Sequence, residues 1–93
     1  MPKVEIIEKR IRAVEGFDVT IRHLNGKDAS SKMNIPKQYS YKNMAKNYWT
    51  VEQWRTNRFK DCFPGFNVDV KDKDGKVKQK NAKLANIRDT YSD

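Results

Sequence analysis

The 93-residue chain reads as one α+β domain. Its expected architecture is a small antiparallel sheet of about four strands, ordered β-β-α-β-β-α, with helices packed on one face. Three observations predict this. FDVTIRH at 17–23 and FNVDVK at 66–71 alternate apolar and polar residues with the period of a half-buried strand. Thr50-Val51-Glu52-Gln53 has the pattern of a capping box and opens a run that stops at Phe63-Pro64-Gly65, where proline cannot continue a helix. Hydrophobic residues make up 37% and aromatics 11%, enough for the single modest core that a chain this short can bury.

Residues 3–14, KVEIIEKRIRAV, read as the first strand, with Ile7, Ile11 and Ala13 on one face and Glu8, Arg10 and Arg12 on the other. The Ile6-Ile7 doublet breaks the alternation and reads as a bulge. Glu15-Gly16 is a turn signal, so 17–23 pairs back as a hairpin that leaves Asp18, Thr20 and Arg22 solvated. Residues 25–40 are turn-rich and read as a long loop, followed by a short helical turn within 41–47. A helix spans Thr50 to about Asp61 and the third strand 66–71. Asp74-Gly75 is a two-residue hairpin signal leading to a weak strand near 76–79. Leu84, Ile87 and Tyr91 place a short amphipathic helix within 82–91. One internal echo stands out: GFDVTIRHLNGK at 16–27 aligns without gaps to GFNVDVKDKDGK at 65–76. A shared strand-turn design and a true duplication both produce it.

Composition narrows the function classes. No apolar run reaches the roughly 18 residues of a membrane span. The N-terminus lacks the apolar stretch of a signal peptide. Cys62 is the single cysteine, so no internal disulfide forms. These features predict a cytoplasmic protein. One cysteine and one histidine, His23, do not build a usual zinc site, and the acidic tip around Asp74-Gly75 fails the calcium-loop spacing. No glycine-rich phosphate cradle or paired-carboxylate spacing is present, so neither a cofactor nor an enzymatic activity is expected.

The net charge is +8, and six of those charges lie in residues 25–60, where Asp28 and Glu52 are the only acids. The same third holds YKNMAKNYWTVEQWRTNRF at 41–59. Lys42, Lys46, Arg55 and Arg58 are candidates to neutralise phosphates, and Tyr41, Tyr48, Trp49 and Trp54 to stack on unpaired bases. On an α-helical wheel Arg55 and Arg58 fall within the apolar arc of Val51, Trp54 and Cys62. Either that face meets a partner, or the arginines snorkel, pair with a carboxylate or stack on a ring.

Taken together, GFDVTIRHLNGKD, YKNMAKNYWTVEQWRTNRF, PGFNVDV with its following DG, and IRDTY resemble small bacterial proteins of unknown function associated with mobile DNA and integron gene cassettes. The resemblance covers most of the chain and implies an accessory cytoplasmic protein; it carries over no activity and no site residue. The expected function is a non-enzymatic module binding an anionic partner, nucleic acid foremost. The alternative is a protein-interaction or self-associating module using the same aromatics.

Overall fold

A computed structural model describes residues 2–91. The domain is α+β, but its sheet has two strands, not four. Helix α1 (Val4–Glu15) leads to strand β1 (Asp18–His23). Helix α2 runs continuously through Val51–Trp54, a π-helical segment Arg55–Phe59, and Lys60–Cys62. Strand β2 (Phe66–Lys71) pairs antiparallel with β1, and helix α3 (Leu84–Asp89) closes the fold.

The expected first strand is helix α1. Its buried residues Val4, Ile7, Ile11 and Glu15 recur at helical spacing, and the Ile6-Ile7 doublet belongs to that period. No side chain caps the start. Instead, the N–H groups of Val4 and Glu5 donate to the carbonyls of Met33 and Ser31, at 2.9 and 3.2 Å, so the capping partners come from a distant segment. At the other end Gly16, with φ 84°, provides the left-handed cap, and its N–H donates to the Arg12 carbonyl. The expected fourth strand is reduced to one isolated bridge, Lys71 with Val77. No helical turn forms within 41–47. The 25–40 segment is tied into the fold by buried Ala29, Ile35 and Tyr39.

Other expectations hold in detail. Thr50 and Gln53 form a complete capping box. Val19, Ile21, Val68 and Val70 face the core. Beyond those expectations, Cys62 is buried, and the partly buried His23 ring lies 5.7 Å from Phe66. The outward side of the ribbon balances Asp18 and Asp69 against Arg22 and Lys71, and Arg22 is ion-paired with both Asp69 and Asp28.

The internal echo has a structural counterpart. The β1–β2 register maps onto itself when the strands are exchanged, with Thr20 and Asp69 paired at its centre. His23 N–H donates to Lys27 C=O, as Asp72 N–H does to Lys76 C=O, at 2.8 and 2.9 Å. Gly26 and Gly75 both take positive φ, at 90° and 84°. The match extends to the helices. Val4 N–H reaches Met33 C=O as Val51 N–H reaches Ala82 C=O, each at 2.9 Å, and Ile35 N–H reaches Pro2 C=O as Leu84 N–H reaches Trp49 C=O, each at 2.8 Å. The domain is therefore two helix–strand–turn units about a pseudo-twofold axis. A shared hairpin design does not require matching helix starts, so the wider match favours duplication.

The second turn provides a pH test. Buried Asp72 accepts N–H bonds from Asp74 and Lys76 at 2.9 and 3.0 Å, and Lys78 lies 3.4 Å away. The Lys76 N–H is the largest cause holding its carboxyl below the usual range, outweighing the opposing effect of burial. The folded pKa lies below the unfolded one. Ionised Asp72 thus adds stability above about pH 4, and this is lost as pH falls through the folded value. Asp72→Asn is expected to melt below the parent at neutral pH. Thermal melts should show the gap closing under acid conditions.

Candidate functional site

The three places where the second unit departs from the first meet at one buried carboxylate. The first departure is in α2. Buried positions in α1 are spaced three then four apart (Val4, Ile7, Ile11), whereas in α2 they are three then five (Val51, Trp54, Phe59). The π segment absorbs the extra residue, with Lys60 N–H bonding back to Arg55 C=O. This wider turn rotates Phe59 into the core, where it is 0% exposed, and leaves Arg58 on the flank. The second departure is the linker 36–48, and the third is α3, which supplies Arg88.

Glu15 is fully buried at the end of α1. One oxygen accepts from Tyr39 Oη at 2.5 Å and Arg58 Nη1 at 2.8 Å. The other accepts from Ala45 N–H at 2.8 Å and Arg88 Nη2 at 3.1 Å. Trp54 Nε1 donates to Tyr39 Oη at 3.1 Å. Burial pushes the Tyr39 hydroxyl far above its ordinary pKa, and the hydrogen bond to Glu15 adds to the shift. Burial lowers the Arg88 pKa against the opposing pull of Glu15; for Arg58 burial is the largest single effect, but Glu15 and Tyr39 together outweigh it, and the pKa rises.

This cluster clamps the linker. Arg58 donates to Asn43 C=O, and Arg88 Nη1 donates to Ala45 C=O and to Asn47 Oδ1, each at 2.7 Å. Ala45 is buried, while Lys42, Met44, Lys46 and Tyr48 point outward. Met44 is 51% exposed and Tyr48 65%. Lys42 and Lys46 have no ion-pair partner among the described residues. Lys83 joins them from the bridge between Thr50 and Lys83, its Nζ donating to Tyr48 C=O at 3.2 Å.

The candidate set therefore divides. Lys42, Lys46 and Tyr48 are exposed together, with Tyr41 and Trp49 half-buried beside them. Trp54 leaves the stacking set because it is 0% exposed, in edge contact with Phe17. Arg55 lies along the strand, its Nη1 3.5 Å from Val68 C=O. Arg58 is withdrawn by Glu15 and lies over the rings of Tyr41 and Trp49, 4.5 and 5.8 Å from their centroids. Glu15, Arg88 and Lys83 escaped the sequence reading. Glu15 looked like part of a turn, and its partners lie as far as 73 positions away.

A second feature is a shallow cleft of about 310 Å³ between α1 and the ribbon. It sets Glu5, Glu8 and Asp18 against Lys9, Arg12 and Lys71, with no charge preference. Among the described residues no group of His, Cys, Asp or Glu side chains could hold a metal ion, and no helix is long and apolar enough to cross a membrane. The chain matches no family model, and no curated protein or solved structure matches it.

Proposed function

We propose that the chain is a non-enzymatic module that binds nucleic acid through the clamped linker. The observation that supports this most directly is the exposure of Lys42, Lys46 and Tyr48 on one rigidly held loop, with Lys83 beside them. In this reading the lysines neutralise phosphates, Tyr48 and the exposed part of Trp49 contact bases, and Arg58 and Arg88 hold the loop. Such a loop binds without first being ordered, which reduces the entropy lost on association. The accessory, cytoplasmic setting implied by the resemblance belongs to the same proposal.

Fluorescence anisotropy of a labelled mixed-sequence oligonucleotide tests it. Binding is expected to weaken steeply as salt rises. Lys42→Ala and Lys46→Ala should each reduce the slope of log K against log salt by about 0.7–0.9. Exposed Met44 and Tyr48 on the same linker favour the alternative, self-association or a protein partner. Salt-tolerant association of the protein with itself, and no oligonucleotide binding at low salt, would replace the first reading with the second.

A further inference from the structure

Resting on the nucleic-acid reading, we infer that the partner is single-stranded and that Tyr48 is its principal stacking residue. A duplex reader needs an exposed helix or two-stranded ribbon whose side chains reach into a groove. The ribbon is free to be seen, but its outward face is charge-balanced and Arg22 is occupied by Asp28 and Asp69. The exposed residues of α2 are Glu52, Gln53, Thr56, Asn57 and Asp61, with no lysine or arginine among them. On α1, Lys9, Arg10 and Arg12 share the helix with Glu5 and Glu8, and Arg12 is ion-paired with Asp18 at 3.4 Å.

The linker offers different chemistry. Tyr48 stands 65% exposed at a bend, its backbone carbonyl held by Lys83 and its neighbour Asn47 held by Arg88. An exposed ring carried on a held backbone in a lysine-rich segment suits a base that has left its partner, since a paired base has no free face at a groove edge. The pseudo-twofold sharpens the assignment. In the first unit the place of Trp49 is taken by Pro2, which likewise accepts the N–H of the segment after the turn. The backbone bridge at this point therefore forms without an aromatic residue; Trp49 packs against the core, whereas Tyr48 stands exposed. Two of the three departures from internal symmetry, the wider turn of α2 and helix α3, supply the arginines that hold the third, the linker itself.

The test compares a labelled single strand with the same strand annealed to its complement, using the full chain at low salt. The single strand is expected to bind at least about tenfold tighter. Tyr48→Ala should weaken single-strand binding about tenfold, in line with one lost base stack, and leave the salt slope unchanged. Tyr48→Phe should restore affinity, because stacking needs the ring and not the hydroxyl. Equal or tighter duplex binding, or an unaffected Tyr48→Ala variant, would overturn the inference while leaving the nucleic-acid reading standing. Binding to neither oligonucleotide would overturn both.

Discussion

Glu15→Ala is expected to lose about 3–5 kcal/mol of stability, because it leaves two buried guanidinium groups without their counter-charge. Side chains of Glu15, Arg58 and Arg88 are 0%, 16% and 11% exposed, so water does little to compensate. A domain of this size has a total stability of about 5–14 kcal/mol, so the variant stands near its folding limit. Its melting temperature should fall by at least about 12 °C. The Ala45 amide should also exchange faster than in the parent, since Glu15 is its acceptor. A variant within about 1 kcal/mol of the parent by urea unfolding would show that the cluster carries no structural weight. Glu15→Gln should fall between, keeping an acceptor oxygen but no charge. A buried ion cluster of this kind is weak evidence of net stability, because well-packed apolar residues often serve as well. What it does provide is direction: one carboxylate selects where the 43–47 backbone sits.

Trp54→Ala is the second large effect, at about 3–5 kcal/mol for a fully buried indole. The ring makes an edge contact with Phe17 at 5.2 Å and tilted contacts with Phe59 and Tyr39 at 6.0 and 6.5 Å. Truncation therefore opens a cavity at the centre of an aromatic cluster. Trp54→Phe should cost less, about 1–2 kcal/mol, with the lost hydrogen bond to Tyr39 as one part. Equilibrium unfolding of both variants separates ring volume from the N–H bond. An alanine variant as stable as the phenylalanine variant would contradict the core assignment. Because Trp54 is buried, any change in tryptophan emission on oligonucleotide binding should survive in Trp54→Phe and vanish in Trp49→Phe.

How far the sequence was legible depended on the range of the interactions. The capping box at Thr50 and the two alternating strands rest on neighbours within a few residues, and they formed as read. Helix α1 was mistaken for a strand because isoleucine and valine suit either state and because its start is capped by Met33 and Ser31, far along the chain. The π segment upset the helical wheel, since one extra residue rotates every later side chain and brings Phe59 fully into the core; Arg58 pairs with a carboxylate and lies over two rings, as the wheel allowed, but the carboxylate is Glu15, 43 positions away. Of the candidate site, the lysines and Tyr48 were visible as composition. The clamp behind them was not.

Local pattern alone was enough for a small basic α+β domain, two alternating strand segments but not their pairing, the second helix and its cap, and a lysine- and aromatic-rich middle. These follow from local periodicity and from charge counts, which need no partner in space. The 17–23 segment pairs with 66–71 and not, as read, with 3–14. Long-range packing settled that the strands number two, that the echo is a pseudo-twofold, and that Arg58 on the flank of α2 is held by Glu15 while Tyr48 turns out. Those outcomes depend on contacts between residues tens of positions apart. A buried carboxylate recruits whichever cations and amides the fold brings within hydrogen-bonding distance, and no local pattern records which those are.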